Sequence, residues 1–314
     1  MKKLFRCPKC KSNLNSFKVK DFQCQSCGAE FAVINNFISF IDKKYLPVNY
    51  ETTQSDIEFL TQEGQTTRDR FNRYFIPLFQ KLGLKKDCAI LCLGCGSGDD
   101  VETFIAARFK NTFGIDMGWR SDWWQKNSRD PEHFFIADGR KLPFSDGSFD
   151  VVISLGVIEH VGAIGDSAEL YPDVKEQRLD FIREACRLLK NDGRFILACP
   201  NRLFPIDFQH NISQSQYFKL LGDKFGMSFH SPFNPMLLSY SDIAGYCNDI
   251  GKNYSVIPLP QTNYLGLKFR NSPFLKPFSW ICRLIFRLLD MMPKKVRESF
   301  LNPYMLCEIK KNHL

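Results

Sequence analysis

The chain has 314 residues, 44% of them hydrophobic and 30 of them Phe, which is enough apolar material for one full domain with smaller additions. Its net charge of +8 at pH 7 is unevenly placed: residues 1–20 hold seven Lys or Arg and no acid, and residues 266–314 hold ten basic against three acidic side chains. Polar residues follow the opening MKKLFRC at once, so a secretory leader is not expected, and 12 Cys then point to a reduced cytoplasmic protein rather than a disulfide framework.

Four of the cysteines are grouped as CPKC, with Cys7 and Cys10, and CQSC, with Cys24 and Cys27, thirteen residues lying between the pairs. Each knuckle aims two thiolates at one point, and two knuckles complete a tetrahedral zinc site that is structural because no coordination position stays open. Residues 1–42 are read as this zinc ribbon with the apolar run FAVINNFISFI, and polar 43–66 as a linker. Positive charge on the two ends of the chain predicts a phosphate partner, either nucleic acid or an anionic membrane surface.

Residues 67–83 read as a helix with a kink at Pro77. The segment DCAILCLGCGSGDDV, residues 87–101, then reads as strand, glycine turn and helix, with Gly94, Gly96 and Gly98 leaving backbone open to a nucleotide-like ligand. A second strand ends at Asp116, whose carboxylate suits the two hydroxyls of a ribose, and a third apolar run ends at Asp138, placed for an exocyclic amine. Strands at 149–155 and 193–199 flank the amphipathic EQRLDFIREACRLLKNDG. Strands alternating with helices imply an α/β doubly wound parallel sheet.

Residues 201–240, rich in Phe, Pro and Asn without periodicity, suit a substrate-facing insertion. Ser241 is placed to cap a helix ending at Gly251, a sixth strand follows near YSVIP, and YMLCEI at 304–309 reads as a seventh, antiparallel strand. Between the last two strands lies an insertion, 259–303, centred on PFSWICRLIFRLLDMMPKK. Its residues 278–292 form an amphipathic helix too short to span a bilayer, and it is expected to pack on the core, to cover the active site or to lie in a headgroup layer.

The runs ILCLGCGSG, GIDMG, IADGRKLPFSDGSFDVVISLGVIEHV and LLKNDGRFILACPNR resemble the successive motifs of class I S-adenosylmethionine-dependent methyltransferases, most of all the ubiquinone/menaquinone methyltransferase type, over roughly residues 70–258. The resemblance implies a Rossmann-like seven-stranded sheet and a core of residues 67–258, with 304–314 as the last strand and C-terminus. It also implies that S-adenosyl-L-methionine is held by Gly94, Gly96 and Gly98 at its methionine portion, by Asp116 and Met117 at the ribose, and by Asp138 and Gly139 at the adenine, with Leu155 and Gly156 at its border. The ribbon strand is similar to that of small zinc proteins that activate tRNA and protein methyltransferases, with Phe37 and Ile38 where those have Ile-Pro. One departure is Cys92, which stands where the family carries an acid, Asp99 or a water being expected to take over.

In-line methyl transfer needs alignment more than catalytic groups, and His160, in the EHV segment after the fourth strand, is the expected base for a hydroxyl acceptor, ahead of Glu159, Asn201 and His210. The CPNRLFPIDFQH stretch resembles methyltransferases of surface-glycan and lipid-linked sugar synthesis, implying a small-molecule, glycan or lipid-linked acceptor methylated at oxygen. An RNA methyltransferase of the ribosomal guanine type and a catalytically weak cofactor-binding adaptor are the alternatives.

Overall fold

The computed structural model describes residues 5–14, 22–43, 52–164, 169–207, 228–229, 236–251, 253–265 and 276–312. The chain divides into two compact units, Met1–Ser154 with Arg183–Phe195, and Leu155–Ile182 with Ile196–Leu314. The fold is mixed α/β and Rossmann-like, as its alternating pattern predicts.

In the first unit, β1 (Phe22–Gln23) and β2 (Glu30–Ile34) are antiparallel, and β2 turns back into β3 (Phe37–Ser39). The turn is Asn35–Asn36, with φ of 49° and 71°, the left-handed pair that a tight hairpin needs and that Asn tolerates. Helix α1 (Gln54–Arg70) begins well inside the stretch expected as linker, because Thr53 and Asp56 close a reciprocal capping box. The kink expected at Pro77 takes the form of a π-helical turn, Phe71–Phe75, ahead of α2 (Ile76–Lys81): Pro77 has no N–H to continue the regular ladder.

The cofactor-type core follows as β4 (Ile90–Leu93), α3 (Asp99–Ala106), β5 (Thr112–Asp116), α4 (Ser121–Lys126), β6 (Phe134–Ile136), β7 (Phe149–Leu155), α5 (Val174–Arg187) and β8 (Leu189–Pro200). Strand order in the first unit is β1-β2-β3-β6-β5-β4-β7. The pairs β6/β5, β5/β4 and β4/β7 are parallel, and all four residues of β4 are buried. Strand β3 also runs parallel to β6, with Ile38 opposite Phe135 and Ser39 opposite Ile136. The ribbon thus adds strands to the sheet edge, and the Phe5 ring lies 5.1–5.4 Å from those of Phe40, Phe135 and Phe144 to seal the join.

The second unit holds the carboxyl half of β8, a short antiparallel pair β9 (Ile206–Asp207) and β10 (Ser228–Phe229), α6 (Tyr240–Ile250), β11 (Tyr254–Pro258), α7 (Lys276–Met291), α8 (Lys294–Arg297) and β12 (Tyr304–Lys311). Strand β12 lies between β8 and β11 and runs antiparallel to β11, from Tyr254 opposite Lys311 to Pro258 opposite Cys307. The N-cap of α6 is Ser239, not Ser241: Ser239 and Asp242 form the reciprocal box, which leaves Ser241 inside the first turn. The Tyr240 hydroxyl donates to the Leu306 carbonyl at 3.0 Å and accepts from the Leu306 N–H at 3.1 Å, tying α6 to β12. Most of the 201–240 insertion, His210 included, and residues 266–275 lie outside the described residues.

Candidate functional site

The turn after β4 is held by β5, because the N–H groups of Gly94 and Cys95 both donate to the Ile115 carbonyl, at 2.8 and 3.0 Å. Gly96, at φ 52°, donates its N–H to Asp116 Oδ2 at 2.7 Å, and its carbonyl accepts from Trp124 Nε1 at 2.9 Å. A Cβ on Gly96 would stand 2.7 Å from Glu63 Oε1, and one on Gly98 (φ 84°) 2.6 Å from the Phe134 ring. Both glycines are therefore demanded by backbone conformation and by packing together.

Asp116 Oδ1 accepts the Met117 N–H at 2.7 Å, so each carboxylate oxygen takes one backbone donor and keeps lone-pair capacity for another. The Ala137 N–H donates to the Asp116 carbonyl at 3.1 Å, which sets Asp138 and Gly139 just past the neighbouring strand end. The glycine turn, Asp116 and Met117 are thus brought together, with Asp138 and Gly139 on the adjoining tip. Met117 leaves its side chain 43% exposed. Partial burial opposes ionisation of Asp138, but Arg140 outweighs it with bonds of 2.9 Å from Nε to Oδ1 and 2.7 Å from Nη2 to Oδ2, and holds the carboxyl below its ordinary value.

Two further residues beside the glycine turn escape the sequence reading. Glu63, on α1, leans over Gly96, and Arg120, just before α4, is 8% exposed with its guanidinium over the Trp119 ring. Arg120 Nη1 is 3.8 Å from Glu63 Oε2, too far for a hydrogen bond. Among the described residues, Glu63 Oε2 and Arg120 Nε and Nη1 are buried without a hydrogen-bond partner. Burial pushes the Glu63 and Asp116 carboxyls above their ordinary values, with Arg120 acting against it in both cases. Orphaned donors and acceptors of opposite charge beside a ribose-type aspartate fit a nucleoside with a zwitterionic tail.

Cys92 is fully buried, and its thiol donates to the Asp100 carboxyl. Asp99, expected to take over from the missing acid, is 3% exposed. It is paired with Arg68 and, at 3.1 Å, with Arg129 Nη2.

In the second unit, Leu155 and Gly156 begin the turn after β7, with Gly156 at φ 71° donating its N–H to the Ala198 carbonyl at 2.8 Å. Glu159 is wholly buried and His160 is exposed. Buried Arg178 of α5 brackets this turn by donating to the carbonyls of Val161 at 3.1 Å, Glu159 at 3.2 Å and Met236 at 2.8 Å. Asn201 is buried and its amide is spent on structure, Nδ2 reaching the carbonyls of Ser299 at 3.0 Å and Asn302 at 2.8 Å.

The sulfurs of Cys7, Cys10, Cys24 and Cys27 all lie within 4.8 Å of one another, with Cys7–Cys27 and Cys10–Cys24 at 3.7 Å. Thiolates around a tetrahedral zinc at bond lengths of about 2.3 Å stand about 3.8 Å apart, so the cluster fits such an ion.

Residues 91–197 match the family model described as a methyltransferase domain. The chain is 29% identical over 125 residues to an uncharacterized protein of Methanocaldococcus jannaschii, a match covering 40% of this chain and 46%, less than half, of that protein. Among solved structures, it is similar to the plantazolicin methyltransferase BpumL in complex with S-adenosylhomocysteine, at 14% identity and a TM-score of 0.46 over 83% of this chain and 92% of that one. It is also similar to a chain in the complex between the Haloferax volcanii Trm112 methyltransferase activator and a proposed methyltransferase, at 14% identity and a TM-score of 0.43 over 84% and 99%.

Proposed function

We propose that this chain, whose residues 91–197 match the methyltransferase-domain family, methylates an oxygen of a small-molecule, glycan or lipid-linked acceptor with S-adenosyl-L-methionine as donor. The observation that carries the reading is Asp116, which closes on the glycine turn through the Gly96 N–H and still offers both oxygens to a pair of hydroxyls. When bound, the cofactor supplies an electrophilic methyl group on its sulfonium. Asp116 then takes the ribose hydroxyls, Asp138 and Gly139 the adenine edge, and Gly94, Gly96 and Gly98 the approach of the methionine portion. Leu155 and Gly156 border the ligand. Glu63 suits the tail ammonium and Arg120 the tail carboxylate, each recovering a hydrogen bond that the protein does not supply.

His160 is the base of this reading: it stands exposed on a turn that Arg178 fixes, and it removes the acceptor proton as the oxygen takes the methyl group. The four ribbon cysteines hold a structural zinc.

The test is transfer of labelled methyl from S-adenosylmethionine into a cell extract fractionated into RNA, lipid, glycan and small molecules. Label in the lipid, glycan or small-molecule fraction supports the reading. Label in RNA assigns the ribosomal-type alternative, and calorimetry without heat at millimolar S-adenosylhomocysteine removes cofactor binding altogether. His160→Ala is expected to slow transfer about a hundredfold and to remove the acid limb of the pH–rate profile. An unchanged rate at every pH ends its role as base.

A further inference from the structure

We propose that α7 lies in the headgroup layer of an anionic phospholipid membrane, with its apolar face outward from the protein. The exposed large side chains of this helix are Trp280, Ile281, Leu284, Ile285, Leu288 and Met291, from 41% exposed at Leu284 to 82% at Met291. At about 100° per residue these six fall within an arc of about 140° on the helix surface. The opposite side is anchored. Cys282, Phe286 and Leu289 are half-buried, and the Asp290 carboxylate accepts from the N–H groups of Gln261 at 2.7 Å and Thr262 at 2.9 Å and from the Thr262 hydroxyl at 2.6 Å. The rotation of the helix about its axis is therefore fixed, and the sequence expectation of a helix packed on the core is not met by its apolar arc.

Charge identifies the occupant. Arg283 and Arg287 are exposed one turn apart along one border of the arc, and Lys294 and Lys295 follow at its C-terminal end. Of the two acids of residues 276–301, Asp290 is engaged as above and Glu298 pairs with Lys294 at 3.6 Å, so the charge of the strip rests on Arg283, Arg287 and Lys295. An apolar strip with cations along one border and at its end matches acyl chains beneath a layer of phosphates. Sixteen residues make a helix of about 24 Å, and among the described residues no helix is long and apolar enough to cross a membrane, so the geometry points to binding in the plane of the surface. This inference does not rest on the identity of the acceptor, since vesicle binding requires no turnover.

The test is flotation of the full chain with phosphatidylcholine vesicles, plain or mixed with phosphatidylglycerol. Partition is expected to be at least about tenfold higher on the mixed vesicles, with a blue shift of tryptophan emission that Trp280→Phe abolishes. The double variant Leu284→Ser/Leu288→Ser keeps the charge and changes only exposed positions, so its melting temperature reports that the fold is intact. It is expected to lose about tenfold in partition. Arg283→Gln/Arg287→Gln is expected to weaken binding to the mixed vesicles alone. Absence of flotation overturns the proposal, as does binding that the serine pair leaves unchanged. A dimer in sedimentation velocity that the serine pair dissolves also overturns it, by assigning the face to a second copy of the chain.

Discussion

Asp100 carries a measurable consequence at the scale of one residue. Burial, with smaller contributions from Asp99 and Glu63, pushes its carboxyl up to about 8, although the Val101 N–H and the Cys92 thiol both donate to it. In the unfolded chain the same group ionises near 4, so above that pH the unfolded state sheds a proton that the folded state retains. Stability is therefore highest below about pH 4 as far as this group is concerned, falls as pH rises, and levels off above about 8. At pH 7 the cost is up to about 4 kcal/mol. Asp100→Asn is expected to flatten urea midpoints measured between pH 5 and 8, and unchanged pH dependence would count against the burial argument.

In the proposed site, Asp116 and Glu63 are assigned to two different parts of one ligand. Asp116→Ala is expected to weaken S-adenosylhomocysteine about ten- to a hundredfold, and 5′-methylthioadenosine, which keeps the ribose but lacks the amino-acid tail, by a similar factor. Glu63→Gln is expected to weaken S-adenosylhomocysteine by about tenfold and to leave methylthioadenosine unchanged, both read by calorimetry. Because burial raises both carboxyls, wild-type affinity is expected to decline on acidification as the two acceptors become protonated.

Among the elements, the ribbon is the one that the proposed zinc would stabilise. Its hairpin buries Phe31 and Phe37, and Phe40 follows it into the aromatic join. Cys24→Ser, or a chelator, is expected to release bound zinc, measured by atomic emission, and to lower the melting temperature by several degrees, since metal-binding energy in such a small module is folding energy. A full zinc complement with an unchanged melting curve would remove the structural assignment.

The elements also show which parts of the fold a linear reading reaches. The glycine turn, Asp116 and the strands β4, β5 and β7 are legible because local apolar runs end in residues with special backbone or charge requirements. Helix α1 is not: it buries only Leu60 and Gly64, so no periodic apolar stripe announces it, and Glu63 stays hidden with it. The Ser239 cap competes with Ser241 two residues on, and only the partner Asp242 decides between them. The outward rotation of α7 depends on Asp290 finding Gln261 and Thr262, a contact 28 and 29 residues distant in sequence. The parallel pairing of β3 with β6 is more remote still.

At the scale of the whole molecule, ligand binding and folding share one equilibrium. S-adenosylhomocysteine at a hundred times its dissociation constant is expected to stabilise the chain by about 2.7 kcal/mol, read as a shift in urea midpoint, and Asp116→Ala is expected to cut that to between about 0.4 and 1.4 kcal/mol at the same concentration. The uneven charge predicts a different response: salt is expected to weaken vesicle binding through α7 while leaving nucleoside affinity nearly constant, because a buried site is screened less than an exposed cationic border.

Strand β3 reaches β6 as part of the same polypeptide, with Ile38 beside Phe135 and Ser39 beside Ile136. Dilution cannot lower the local concentration of a tethered strand. However much or little of the protein a cell makes, every copy carries its own edge cover in one-to-one stoichiometry.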